Sequence, residues 1–309
     1  MFLITQFIGL YVVNHYSSTK IIDGVAVDVS APELPLGLES PKIEKESDYR
    51  NFFYGIIFAF ILAISILFLL TKFNAEFILK LWFFIVVIIA LIVSFIAVLP
   101  KFQYSLIMVV LIALPLAFVK IYKKGFIVHN ITELFIYPGI AAVFVPILNM
   151  YTIIALLVLI SIYDAWAVWH SGIMQKMAKY QINKLNVFSG FFVPYAEKKV
   201  RDKIKKMKEK FSKKELEKKK IKINIAILGG GDVIFPIIAA GVVLKSVQNM
   251  SFGLKPFVGG FYPALFVIAG ATLGVGYLFL FSEKKKFYPA MPFITAGILL
   301  GMVLSYLIF

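Results

Sequence analysis

Leu228-Gly229-Gly230-Gly231-Asp232 sits inside Ile223 to Val243, an otherwise apolar run long enough to cross a bilayer. An aspartate near the centre of a membrane helix costs about 2.5–3.5 kcal/mol on insertion scales, so it marks a functional site whose partner must be sought. The preceding hydrophobic run supplies one. Asp164 lies in Ile160-Ser161-Ile162-Tyr163-Asp164-Ala165-Trp166-Ala167-Val168. Two intramembrane aspartates on consecutive spans, one of them behind three glycines, organise the reading of the whole chain.

With 61% hydrophobic residues, the 309-residue chain stands well above the roughly 45–50% of soluble domains and reads as an all-α polytopic membrane protein. The net charge of +15 is concentrated rather than spread. Gly172 to Lys222 holds seventeen Lys and Arg against five acids, or +12 of that total. Such a segment is a membrane-flanking basic loop and not a nucleic-acid surface. The absence of cysteine excludes disulfides, thiol catalysis and thiolate metal sites. His15, His129 and His170 are scattered without zinc-protease spacing.

Met1 to about Val13 is apolar but short of the ~20 residues of a full span, and is expected as the first helix; a signal peptide would need a basic start and a small-residue cleavage site. Tyr16 to Arg50 reads as an extramembrane loop. Further spans are expected at Phe52–Leu70, Leu81–Leu99, Tyr104–Val119, Phe126–Leu148, Tyr151–Trp169, Ile223–Val243, Gly260–Phe281 and Phe287–Phe309, making about nine. The chain then divides into a six-helix part over 1–171, a basic, flexible cytoplasmic loop over 172–222, and a three-helix part over 223–309. Lysines at 72, 80, 120, 123, 124 and 284–286 fall on the same side as the basic loop when the N-terminus is cytoplasmic, which puts the C-terminus outside.

The helices entering and leaving the basic loop run antiparallel. Asp164 lies about five residues before the inner end of its span and Asp232 about nine after the inner end of its own, a depth difference of about 6 Å at 1.5 Å per residue. The two carboxyls can therefore meet. Close carboxyls cannot both ionise and share one proton over a broad pH range. One member can then activate a water as general base while the other polarises a peptide carbonyl. Which takes which role stays open, because the pair titrates as a unit. Water at that depth requires a cavity between helices.

Gly229 and Gly231 allow backbone, or an extended substrate, to approach Asp232, and Pro236 invites a kink. Tyr163 is either an interfacial aromatic or a wall of the pocket. Glu133, near His129 and Asn130, is expected to be structural and solvated near the inner end of its span. Lys220-Ile221-Lys222-Ile223-Asn224-Ile225 alternates polar and apolar, a strand signal leading into a helix.

Tyr163-Asp164 and Gly229-Gly230-Gly231-Asp232 resemble the YD and GxGD motifs of the presenilin and signal peptide peptidase family of intramembrane aspartyl proteases. The family's Pro-Ala-Leu motif has two candidates. Pro263-Ala264-Leu265 matches the letters one helix early; Pro289-Ala290-Met291-Pro292 opens the final span, and is preferred. The resemblance implies a presenilin-like fold and an endopeptidase whose catalytic residues are Asp164 and Asp232. Tyr163, Gly229, Gly230 and Gly231 support the site. Pro289, Ala290, Met291, Ile221 and Ile223 bind an unwound substrate as a strand. It implies no metal or organic cofactor beyond the catalytic water. The expected partners are transmembrane helices of substrate proteins and the bilayer, with no obligatory subunits. The small-xxx-small pairs Gly270/Gly274 and Gly297/Gly301 are packing faces that equally suit self-association. The alternative is a proton-coupled transporter using the aspartates as a relay, which would show inverted repeats; none is seen.

Overall fold

The computed structural model describes the chain except residues 18, 23–24, 29–31, 39–40, 42, 44, 74, 101–102, 124, 173–179, 181–186, 196–223, 250–260, 282–287 and 309. Its described residues form nine helices: α1 (Phe2–His15), α2 (Glu46–Lys72), α3 (Glu76–Val98), α4 (Ser105–Tyr122), α5 (Phe126–Phe144), α6 (Met150–Trp169), α7 (Gly230–Asn249), α8 (Phe261–Phe281) and α9 (Met291–Ile308). Seven of these, all but α1 and α7, were found long and apolar enough to cross a membrane. Two antiparallel ribbons accompany them, β1 (Thr19–Ile22) with β2 (Val25–Asp28), and β3 (Gly190–Tyr195) with β4 (Asn224–Gly229).

The main core joins α1, α5, α6, α7, α8 and α9, with Leu157, Val233, Ile237 and Ile294 almost fully sealed from solvent. A second core lies between α3, α4 and α5. The most extensive contact is between α8 and α9. There Gly270 faces Gly297, and a Cβ on either would collide with the other's carbonyl, so the glycines permit backbone-to-backbone packing. In a bilayer, where lipid is as apolar as the side chains, such fit replaces the hydrophobic drive between helices. α2 differs from the rest: none of its residues is buried. An apolar cavity of about 520 Å³ separates it from α6 and α7.

Two expectations are corrected. The span expected from Ile223 is strand over Asn224–Gly229 and becomes helix only at Gly230. Alternating isoleucines favour strand, glycines weaken helix, and Gly190–Tyr195 supplies the pairing partner. The final helix begins at Met291, after Pro289, with Pro292 accommodated in the first turn, where proline removes no helical hydrogen bond.

Candidate active site

α6 presents Asp164 one and a half turns before its end, buried at 5% exposure. The backbone N–H of Met291 donates to Asp164 Oδ2 at 3.1 Å. An amide at the start of α9 would otherwise lack an intrahelical acceptor, so the carboxylate serves as its partner and gains the favourable end of the helix dipole. One turn earlier on α6, Ser161 Oγ donates to Thr295 Oγ1 at 2.8 Å and ties the same two helices. The structure thus brings Pro289-Ala290-Met291 to Asp164, whereas Pro263-Ala264-Leu265 opens α8.

Asp232 stands in the first turn of α7, half-buried, at the point where strand turns into helix. α7 packs against α6, and the two aspartates lie within electrostatic reach of one another. A Cβ on Gly229 would stand 3.1 Å from Asp232 Oδ2, and one on Gly230 would stand 2.7 Å from Ser189 Oγ and 3.0 Å from the Tyr137 ring. Gly231 is exposed, and a Cβ there would meet only Phe235 at 3.7 Å. The close-approach requirement therefore falls on Gly229 and Gly230, not on Gly231 as expected.

Pro236 has no N–H to offer the Asp232 carbonyl four residues back, which loosens the first turn beneath the carboxylate. The same turn is supported from α1, where fully buried Gln6 donates from Nε2 to the Val233 carbonyl at 3.0 Å. The signal for Gln6 was its polarity inside an apolar run. Tyr163 is half-buried and its ring meets Phe60 of α2 edge-on at 5.7 Å, so it forms a wall between α6 and α2. Ile160, Ile234 and Phe235, neighbours of the two aspartates, line the apolar cavity under α2. Ile221 and Ile223 lie outside the described residues.

Glu133 is not solvated. It is 1% exposed on α5 and paired with Lys120 of α4, whose side chain is also buried instead of lying in a loop. Lys120 Nζ also lies 3.3 Å from His129 Nδ1, and His129 Nε2 lies 2.8 Å from the Gly190 carbonyl, an arrangement that fits the Nε2–H tautomer. The Gly190 N–H donates to Glu133 Oε1 at 3.3 Å. Asn130 Nδ2 donates to the Phe192 carbonyl at 2.9 Å, and the Phe192 N–H donates back to Asn130 Oδ1 at 3.1 Å. Gly190 has φ +149°, which only glycine adopts readily, and a Cβ there would collide with the Leu228 carbonyl.

The description "Signal-peptide peptidase, presenilin aspartyl protease" belongs to the family whose profile matches residues 24–309. Among solved structures, a presenilin-family intramembrane aspartate protease is similar in two crystal forms. In the C222 form the TM-score is 0.55 at 17% identity, and in the P2 form 0.56 at 18%; each covers 100% of this chain and 95% of that one. No curated protein matches the chain. At that identity the solved structures carry the fold, while the profile spans nearly the whole sequence. The chain belongs to the signal-peptide peptidase and presenilin family of intramembrane aspartyl proteases.

Proposed function

We propose that this protease hydrolyses peptide bonds within transmembrane segments of other membrane proteins, using Asp164 and Asp232 as a dyad around one water. The observation that supports the reading most is the packing of α6, whose Asp164 accepts from the Met291 amide, against α7, whose first turn carries Asp232. One carboxylate takes a proton from water as its oxygen attacks the carbonyl carbon, and the other carboxyl donates a proton to the carbonyl oxygen. The resulting gem-diol collapses, the amide nitrogen takes a proton from the dyad, and the C–N bond breaks. The chemistry calls on no metal or organic cofactor. The transporter alternative gives way to the family assignment.

A transmembrane helix hides its peptide bonds in intrahelical hydrogen bonds, so an unwound stretch must find other partners. Backbone pairing with the strand that runs through Ile221 and Ile223 into β4, and with Pro289-Ala290-Met291, meets that need with little sequence choice. The apolar cavity between α2, α6 and α7 suits the still-helical part of the substrate. The protein works as an integral membrane enzyme with its N-terminus and the 172–222 loop in the cytoplasm and its C-terminus outside. It needs no obligatory subunit.

The test is cleavage of a single-span peptide in liposomes, with mass spectrometry of the products. Wild type is expected to cut within the span, and Asp164→Ala and Asp232→Ala each to abolish cutting. Cleavage persisting in either variant would overturn the dyad.

A further inference from the structure

The four polar residues Lys120, His129, Asn130 and Glu133 are buried, and three of them, His129, Asn130 and Glu133, bond one strand. Their targets share a feature. The N–H and C=O of both Gly190 and Phe192 are taken by side chains of α5: His129 and Glu133 at Gly190, Asn130 twice at Phe192. In an antiparallel pair the residues whose backbone groups point away from the partner alternate with those that bond it. Gly190 and Phe192, opposite Gly229 and Ile227 respectively, are therefore the outward-pointing residues of β3, and α5 occupies that outer edge at both of them. The Gly230 N–H bonding the Ser189 carbonyl at 3.2 Å belongs to the same alternation.

The opposite edge of the ribbon is different. By that alternation the outward residues of β4 are Ile225, Ile227 and Gly229. Gly229 on this edge lies against Asp232, where a Cβ would stand 3.1 Å from Asp232 Oδ2. Among the described residues no group pairs with the outward N–H and C=O of Ile225 or Ile227. An unpaired edge is a template for another strand. Here that edge leads directly to the aspartate.

We infer that Lys120, His129, Asn130 and Glu133 form a polar cap that closes the β3 edge and fixes the register of the ribbon, so that an extended substrate pairs only along β4 and enters the dyad in one register. The inference rests on the strand-pairing reading of the substrate proposed above. The four are positioning residues. Lys120 acts at one remove, by neutralising Glu133 and bonding His129 so that both remain aimed at Gly190. A slip of one residue in a strand turns every side chain to the other face and moves the peptide presented to the dyad.

The experiment compares wild type with Asn130→Ala and Asn130→Gln on one single-span peptide, reading cut positions, kcat and KM. In Asn130→Ala the two bonds to Phe192 are lost, and the single main cut is expected to spread to neighbouring peptide bonds, with kcat falling about 10- to 100-fold and KM within about twofold. Asn130→Gln, which carries the same donor and acceptor, is expected to restore part of the single-site pattern. Wild type cutting normally while Asn130→Ala keeps the same cut at the same rate overturns the cap but leaves the protease reading standing. Wild type cutting nothing fails that reading first. Should Asn130→Ala not fold, amide exchange on wild type in detergent decides. Gly190 and Phe192 are expected to be protected in the free enzyme, and Ile225 and Ile227 only once a non-cleavable hydroxyl-containing peptide is bound. The reverse pattern would place the substrate on β3 and overturn the inference.

Discussion

Asp164 and Asp232 come from unlike supports. Asp164 sits on a helix clamped by helices: α9 bonds it through Met291, Ser161 and Thr295 tie α6 to α9, and α9 is fitted to α8 backbone against backbone. Asp232 sits where a strand becomes a helix, and that strand is anchored through β3 to a buried ion pair and two hydrogen-bonding side chains on α4 and α5. The first support is steric and the second is polar. Steric fit tolerates no added volume but is indifferent to charge, whereas a buried polar network tolerates no missing member.

The sharpest way to break that contrast is Glu133→Leu, which leaves the Lys120 ammonium buried and unpaired. A loss of about 3–5 kcal/mol is expected in unfolding experiments, with part of it recovered in Lys120→Met/Glu133→Leu, because no buried charge is then uncompensated although the Gly190 N–H and His129 Nδ1 still lose their partners. Unchanged stability in the single variant would mean that the pair contributes nothing. Next is Gly297→Ala on the steric side. Its Cβ meets the Gly270 carbonyl, so a loss of about 1–3 kcal/mol is expected, insensitive to salt and accompanied by weaker cleavage as α9 shifts from Asp164.

Ser161→Ala removes one hydrogen bond and is expected to lower stability by about 1 kcal/mol, with less effect on cutting than Gly297→Ala. The smallest change is Gly231→Ala, whose Cβ has room; stability should stay within about 0.5 kcal/mol by thermal unfolding. A larger loss there would move the close-approach requirement back onto Gly231.

The steric half was largely legible in the chain. Asp164, the small-residue pairs on α8 and α9 and the proline motif before α9 each stand out locally, because a carboxylate or a glycine inside an apolar run has few explanations. The polar half was not. Lys120 near a helix end looks like any snorkelling lysine, and nothing local shows that its partner is Glu133 on the next helix. The strand signal at Asn224 and Ile225 was readable, yet its partner Gly190–Tyr195 lies across the basic segment, and strand pairing over such a separation leaves no periodic trace. Gln6 was a polar residue in a helix read only for its length; its target, the Val233 carbonyl, belongs to tertiary structure.

The two supports matter only if they deliver both carboxylates to one reacting group. That is measured most directly with a peptide carrying a hydroxyl in place of the scissile carbonyl, a mimic of the tetrahedral intermediate that a complementary site binds more tightly than substrate. The account predicts that it raises the unfolding temperature of wild type and leaves Asp164→Asn and Asp232→Asn unprotected. Equal protection of all three would contradict it, since the ligand would then be held without the dyad.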